Sequence, residues 1–190
     1  DHRDLHSFPT RRSSDLRLRP ALVVECGSGA SSVWLGYALR RAGGGRLVAV
    51  EHDARYAELS RELVTAHGLD DIVEIRHAPL VEISGTTVTV DGRERSTADL
   101  WYDTAVFSDL EGIGLVFVDG PPKATGLQAR HPAVPVLLPR CTEDVVIVLD
   151  DAARPDEQAV GERWLAEHPE LHRTEEAAEK GAHVFSRKGS

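Results

Sequence analysis

The sequence predicts an α/β fold, with a doubly wound, mostly parallel sheet covered by helices on both faces. Short runs that are apolar throughout alternate with segments of helical periodicity, and strands that are apolar on both sides are typical of a covered parallel sheet. The first such run ends in a glycine-rich turn that leads into a helix, as in many ligand-binding α/β domains. The length of 190 residues fits a single domain.

Apolar and β-branched runs predict the strands. They lie at 21–25, 47–50, 72–75, 115–118, 145–149, 171–175 and 182–185, with the last strand antiparallel. The connection over 81–103 is long and contains the run TVTV at 87–90 followed by Asp91-Gly92, which predicts a β-hairpin insertion. This hairpin is either a lid over a substrate or an ornament of the fold.

Four segments predict helices, at 31–42, at 53–68, near 135–140 and at 156–168. Asp53 is the predicted N-cap of the second helix and Gly68 closes it. The apolar positions at helical spacing are Leu35, Leu39 and Ala42 in the first helix and Tyr56, Leu59 and Leu63 in the second.

Residues 1–16 (DHRDLHSFPTRRSSDL) show neither helical nor strand periodicity. Codon by codon they match one reading frame of a common short-read sequencing adapter. We therefore predict a non-native, disordered tail, followed over 17–190 by a single native domain that is truncated at its N-terminus.

The composition argues against several partners. The net charge is −9, from 22 Lys+Arg and 31 Asp+Glu, whereas binding to nucleic acid requires a basic face. No apolar run approaches the roughly 20 residues of a membrane span. The two cysteines, Cys26 and Cys141, are far apart in sequence and indicate reduced thiols in the cytoplasm. The sequence leaves the oligomeric state open, with a homodimer as one option.

The strongest chemical signal is the turn Glu25-Cys26-Gly27-Ser28-Gly29, which leaves the first strand and enters the first helix at Ala30-Ser31-Ser32. Glycines let the backbone turn sharply and approach a ligand, and the helix N-terminus offers free N–H groups. A purely structural turn is the alternative. Glu51 ends the second strand, where a carboxylate can accept both ribose hydroxyls of an adenosine-containing cofactor. His52 either packs on the adenine or lines the rim.

These motifs resemble those of class I S-adenosylmethionine-dependent methyltransferases, in the branch of small-molecule O-methyltransferase-like domains. The resemblance implies that the loop carrying Glu25, Gly27, Ser28, Gly29 and Ser31 holds the methionine part of the cofactor and that Glu51 binds its ribose. It implies that Ala78, after the third strand, lies near the adenine. Asp119, in the run VFVDGPP at 116–122, falls on the motif whose aspartate faces cofactor and substrate. A Rossmann-like, seven-stranded sheet in the order 3-2-1-4-5-7-6 is also implied.

Asp119, Asp150 and Asp151 follow neighbouring strands in that order. Three carboxylates at one edge suit a hard divalent cation such as Mg²⁺, and the chain resembles metal-dependent catechol-type O-methyltransferases here, although Asp151 stands where an asparagine is usual. The alternative is that Asp150 and Asp151 begin a loop and cap the next helix, while Asp119 contacts the cofactor alone.

The weaker candidates each have two interpretations. Lys123 is either a general base, if it is buried, or a solvated loop lysine. Arg130, in Arg130-His131-Pro132, either anchors a substrate carboxylate or phosphate or lies on the surface. Trp101 and Tyr102 form either an aromatic wall for the substrate or a packed hinge.

The sequence therefore predicts transfer of a methyl group from S-adenosylmethionine to a small-molecule acceptor, at a hydroxyl oxygen. Asp119, Asp150 and Lys123 are the candidate catalytic residues, and Mg²⁺ at Asp119, Asp150 and Asp151 is a candidate cofactor. The alternatives are an NAD(P)-dependent dehydrogenase and a catalytically silent cofactor-binding module. The dehydrogenase is disfavoured because Glu25 precedes the glycines and Ser32 replaces the third glycine.

Overall fold

The computed structural model describes residues 19–90, 93–176 and 181–189. The predicted tail over 1–16 and the Asp91-Gly92 turn lie outside these residues. In the part of the chain that is described, no helix is long and apolar enough to span a membrane.

Strands and helices alternate through the first half of the chain, as predicted. They are β1 (Leu22–Cys26), α1 (Ala30–Ala42), β2 (Arg46–Glu51), α2 (Ala54–Ala66) and β3 (Val73–His77). The Asp53 carboxylate accepts a hydrogen bond from the Arg55 backbone N–H at 2.8 Å, which confirms the predicted N-cap. Gly68 follows the end of α2 with a φ of 61°, in the left-handed region that favours glycine.

The second half begins with the predicted hairpin and ends with two antiparallel strands. The elements are β4 (Leu80–Val90), β5 (Arg93–Tyr102), β6 (Ile113–Val118), α3 (Ala133–Leu137), β7 (Cys141–Leu149), α4 (Pro155–Glu167), β8 (Leu171–Glu176) and β9 (Ala182–Arg187), with short 3-10 turns at Thr104–Phe107, Lys123–Thr125 and Leu138–Arg140.

The main sheet has seven strands in the order β3-β2-β1-β6-β7-β9-β8. Pairing is parallel from β3 to β7, and β9 is antiparallel to both β7 and β8. This confirms the predicted order, with the hairpin strands β4 and β5 forming a separate two-stranded sheet. The hairpin occupies the connection between the parallel strands β3 and β6, where a helix is usual.

Apolar clusters cover the two faces of the sheet. α1 and α2 pack on one face through Val33, Leu39, Ala57 and Val64. On the other face, α3, α4 and the end of the hairpin form a larger cluster that includes Val134, Trp164, Trp101 and Tyr102. Alternate residues of each central strand belong to opposite clusters, which explains why these strands are apolar throughout.

The predicted apolar face of α2 is wrong. Tyr56 and Leu59 are 58% and 47% exposed, and only Leu63 of the predicted set packs against the cluster. The buried residues of α2 are Ala57, Ser60 and Val64. On α1 the buried face contains Leu39, as predicted, together with Ser32, Val33 and Gly36. Small residues face inward because the helices lie close to their neighbours: a Cβ at Gly36 would be 2.7 Å from a Val73 methyl.

Candidate active site

The carboxyl ends of the parallel strands share one edge of the sheet, and backbone hydrogen bonds align the residues that follow them. These bonds run from Ala78 N to Glu51 O, from Gly27 N to Val50 O, from Asp119 N to Cys26 O and from Asp150 N to Val118 O, at 2.8–3.0 Å. β1 lies between β2 and β6, so the chain order reverses there. Ligands of open α/β sheets bind outside the strand ends at such a reversal.

The glycine turn lies at this reversal. Gly27 and Gly29 have φ angles of 106° and 142°, which L-residues rarely adopt. A Cβ at Gly27 would lie 3.5 Å from the backbone of Asp119 and Gly120, so the turns after β1 and β6 nearly touch. A Cβ at Gly29 would meet nothing within 4 Å. Gly29 also precedes the first N–H groups of α1, so it offers open space for a ligand there.

Glu25 is fully buried beneath the turn. One of its carboxylate oxygens accepts a hydrogen bond from the Ser31 hydroxyl, and the other accepts one from the Ser32 hydroxyl at 2.6 Å. Burial raises the pKa of Glu25 to about 8, although the two serine hydroxyls act to lower it. Glu25 thus holds the start of α1 in place through the two serines.

Glu51 lies across the turn, 8% exposed. Its Oε1 accepts a hydrogen bond from the Asp53 backbone N–H at 3.0 Å and lies 2.8 Å from His52 Nδ1. Its Oε2 is 3.4 Å from the Ser28 hydroxyl, which is also 2.7 Å from the Ser60 hydroxyl. Ser28 therefore connects the glycine turn to Glu51 and to α2.

At the end of β3, the His77 side chain is exposed, whereas that of the next residue, Ala78, is buried. The Ala78 side chain is fully buried in the larger core cluster. His77 is exposed, and its Nε2 lies 3.1 Å from the His52 backbone oxygen. His52 and His77 thus lie together beside Glu51.

Asp119, Asp150 and Asp151 come together as predicted. One carboxylate oxygen of each lies within 4.8 Å of those of the other two. Burial raises the pKa of Asp119 to about 6; Arg130 acts to lower it, and Asp150 and Asp151 act to raise it. Asp151 has a φ of 55°, which turns the chain back at the end of β7.

Arg130 is buried beneath this cluster, with 5% of its surface exposed. Its Nη2 donates to the Asp119 backbone oxygen at 2.9 Å and to Asp119 Oδ1 at 3.1 Å, and its Nη1 donates to the Asp150 backbone oxygen at 2.9 Å. The interpretation of Arg130 as a surface residue is therefore wrong. Lys123, by contrast, is exposed and pairs with Asp156 at 3.3 Å, so it lacks the burial that the general-base role requires.

The family comparison fits this geometry. A family model described as "Methyltransferase domain" matches residues 24–152, more than half of the chain. The chain belongs to this methyltransferase family. The prediction of a methyltransferase enzyme is thereby confirmed. A sequence search of curated proteins finds no significant match.

Solved structures of similar fold are methyltransferases as well. The SAH-bound methyltransferase PaMTH1 of Podospora anserina is 17% identical, with a TM-score of 0.66 over 94% of this chain and 75% of that one. The O-methyltransferase of Bacillus cereus in complex with SAH is 18% identical, with a TM-score of 0.64 over 97% and 84%. The O-methyltransferase TomG of Streptomyces achromogenes in complex with SAM is 20% identical, with a TM-score of 0.62 over 93% and 78%. At these identities the likeness concerns the fold.

The structure of this methyltransferase adds Ser60 to the site, a residue that the sequence did not single out. Its hydroxyl is hydrogen-bonded to that of Ser28, and nothing in the apolar pattern of α2 distinguishes it. Ser32, which the sequence showed only in place of a third glycine, donates to Glu25. Tyr102 is fully buried, which supports packing rather than an exposed aromatic wall. Its hydroxyl lies against Gly120, at the point where the two turns of the methyltransferase meet.

Proposed function

We propose that this methyltransferase transfers a methyl group from S-adenosylmethionine to a hydroxyl oxygen of a small molecule. The observation that supports this best is the open glycine turn between Glu51 on one side and Asp119 on the other. Glu51 suits a ribose diol, and the free N–H groups at the start of α1 suit the methionine carboxylate. The donor's methyl would then lie towards Asp119.

The residues around Asp119 suit proton transfer from an acceptor hydroxyl. Bound S-adenosylmethionine supplies an electrophilic methyl group on a sulfonium sulfur. With donor and acceptor bound, the Asp119 carboxylate would accept the hydroxyl proton as the acceptor oxygen takes the methyl group from sulfur, and S-adenosylhomocysteine would be the leaving product. With a pKa of about 6, Asp119 is largely ionised at neutral pH and is poised to accept it. Alignment of acceptor and methyl supplies the remaining acceleration.

Several properties of the acceptor follow from this assignment. The net charge of −9 supports a small molecule rather than nucleic acid. The hairpin β4–β5 begins directly after β3, at the same edge of the sheet as the site, so the acceptor's outer parts would meet it or the loop before Arg130. Metal assistance at Asp119, Asp150 and Asp151 is the alternative form of the mechanism.

Cofactor binding is tested by isothermal titration with S-adenosylhomocysteine and with NAD⁺. We expect binding of the first alone, and at least a tenfold weaker affinity for Glu51→Gln, because an amide accepts fewer hydrogen bonds from the ribose hydroxyls. Glu62→Gln, at an exposed position of α2, is the matched control. Binding of NAD⁺ in place of S-adenosylhomocysteine would contradict the proposed use of this site.

Catalysis is tested by product formation with a panel of phenols and sugars. We expect Asp119→Asn to reduce kcat by roughly 10²–10⁴-fold, the usual contribution of a general base, with little change in affinity for S-adenosylhomocysteine. Good cofactor binding without any methylated product would contradict the proposed hydroxyl acceptor.

A further inference from the structure

We propose that Arg130 is the built-in cation of the Asp119–Asp150–Asp151 cluster, so that methyl transfer beside Asp119 needs no divalent metal ion. This inference rests on the proposed function for its catalytic part and on the geometry of the cluster for the rest.

The spacing of the three carboxylates alone would admit a metal ion. Oxygens within 4.8 Å of one another can surround a centre at the 2.3–2.6 Å typical of Ca²⁺, and a small adjustment would suit Mg²⁺. The distances therefore do not decide whether the cluster holds a metal ion. The charges around the cluster do.

A guanidinium already lies between two of the carboxylates. Arg130 Nη2 is 3.1 Å from Asp119 Oδ1 and 3.8 Å from Asp151 Oδ2. Asp151 Oδ2 also forms an ion pair with Arg154, whose Nη2 lies 2.9 Å away. A divalent ion on the same oxygens would lie less than about 6 Å from the Arg130 guanidinium, where two and one positive charges repel strongly in a partly buried site.

Arg130 cannot easily move aside, because its loop is bound to α4. The His131 backbone oxygen accepts a hydrogen bond from Trp164 Nε1 at 2.7 Å, and His131 Nε2 lies 2.8 Å from a Glu167 carboxylate oxygen. Arg163 donates to the Gln128 side-chain oxygen at 3.3 Å. The guanidinium is thus held in place before any ligand binds, as an electrostatic partner of Asp119 must be.

Arg130 and Arg154 both lie near Asp151, but only Arg130 is buried. The Arg130 side chain is 6% exposed and the Arg154 side chain is 51% exposed. Arg130 also has Glu157 Oε1 3.9 Å from its Nε, so its charge is shared among acidic groups on three elements. Removing Arg130 leaves several buried or half-buried carboxylates together, which is the arrangement that attracts a divalent ion.

The test titrates Mg²⁺ alone, and Tb³⁺ alone as a luminescent probe, into the full chain. We expect no change in the Tm of the wild type at millimolar Mg²⁺ and a methyl-transfer rate within twofold with or without chelator. Arg130→Gln should gain metal binding, seen as Tb³⁺ luminescence and as a Tm rise of about 5 °C or more at saturating Mg²⁺. Adding Asp150→Asn to Arg130→Gln should abolish that gain, and Arg55→Gln, on the exposed surface of α2, is the control.

Two results would overturn the proposal. One is a wild type whose Tm rises with Mg²⁺ and whose transfer stops with chelator. The other is an Arg130→Gln variant that folds but gains no affinity for Mg²⁺ or Tb³⁺. If that variant does not fold, the wild-type titration still decides between a built-in and a bound cation. Titration with S-adenosylhomocysteine on the same samples separates a failure of the proposed function from a failure of this inference.

Discussion

Gly120 is the residue that allows the two halves of the site to meet. It follows Asp119, and a Cβ there would overlap the Tyr102 hydroxyl and come within 3.2 Å of Gly27 Cα. Among the described residues, the Tyr102 hydroxyl has no hydrogen-bond partner although it is buried. The close approach of the turns after β1 and β6 therefore depends on a missing side chain at 120, and on a tyrosine that fills the space below it.

We expect Gly120→Ala to destabilise the protein by roughly 1–3 kcal/mol, the usual cost of overpacking, and to weaken binding of S-adenosylhomocysteine by widening the gap between the turns. Tyr102→Phe removes the overlapping hydroxyl and should be close to neutral alone, because that hydroxyl makes no hydrogen bond to any residue that the structure describes. Urea denaturation and isothermal titration of both single variants and the double variant measure the coupling. If the changes in the free energy of unfolding of the two single variants simply add in the double variant, residue 120 and the Tyr102 hydroxyl are not in contact.

At the residue scale, the sequence predicted which candidate residues lie at the strand ends. Glu25, Glu51 and Asp119 each follow an apolar run, and parallel strands bring such positions to one edge whatever the loops do. Arg130 stands in a loop between a Gly/Pro-containing segment and α3, where no periodicity distinguishes a buried arginine from an exposed one. The sequence predicted that Asp119 and Asp150 lie close together, but not that the loop would place the Arg130 guanidinium against both of them.

At the element scale, α1 and α2 show where hydrophobic periodicity fails. The pattern identifies large apolar residues. Which surface of the helix faces the sheet also depends on the space between the helix and its neighbours. Gly36, Ala57 and Ser60 lie inward, and at Gly36 even a Cβ would collide with Val73 of β3. Trp34, Tyr37, Tyr56 and Leu59 are left on the outside, each at least 40% exposed.

A matched pair of leucines tests this assignment of faces. Leu39→Ala should cost roughly 2–5 kcal/mol, as for leucines in other cores, because Leu39 is 4% exposed and packs in the smaller cluster. Leu59→Ala should change the free energy of unfolding by no more than about 0.5 kcal/mol, because its side chain is 47% exposed. Urea denaturation at one pH gives both values. A cost above about 2 kcal/mol for Leu59→Ala would mean that this face of α2 is covered in solution.

The sequence predicted that the hairpin exists, but it did not predict how the hairpin is anchored in the core. The turn dipeptide and the alternating run predict two paired strands, and the structure extends them to Leu80–Val90 and Arg93–Tyr102. The attachment is made by the last two residues of β5. Trp101 stacks on Phe107 with ring centroids 5.6 Å apart, and Trp101 and Tyr102 are both fully buried in the core. The sequence left an aromatic wall and a packed hinge as the two interpretations of this pair, and the burial of both side chains favours the packed hinge.

At the scale of the whole molecule, alternating strands and helices were enough to predict the class of fold. The order of the strands came from the resemblance that Glu25, Gly27, Gly29, Glu51 and Asp119 carry, since apolar runs alone do not say which strands are neighbours. The matched family region ends at 152, within the turn after β7, yet β8 and β9 complete the same sheet beyond it. The residues of the candidate site at the strand ends, from Glu25 to Asp151, all lie within the matched region.

The stability of the whole molecule should depend on pH through the carboxyl groups at that edge. Burial raises the pKa of Glu25 to about 8 and that of Asp119 to about 6, above their values in the unfolded chain. Between the unfolded and folded pKa values, the folded protein binds a proton that the unfolded chain has lost. The free energy of unfolding therefore falls as the pH rises above about 4. The fall due to Asp119 ends at about pH 6, and the fall due to Glu25 ends at about pH 8.

Glu25→Gln isolates the larger of these two effects, because glutamine stays neutral; its amide oxygen can accept a hydrogen bond from one of the two serine hydroxyls, and its NH2 group can donate to the other. We expect the variant to match the wild type near pH 4 and to become more stable than it as the pH rises, by a few kcal/mol at pH 8, since one unit of pKa shift corresponds to about 1.4 kcal/mol. Urea denaturation from pH 4 to 9 measures the difference, with the exposed Glu62→Gln as control. Parallel profiles for Glu25→Gln and the wild type would show that Glu25 is ionised in the folded protein at all these pH values. A growing gap would identify the buried glutamate as a group that costs the methyltransferase stability at neutral pH while holding the start of α1 for its ligand.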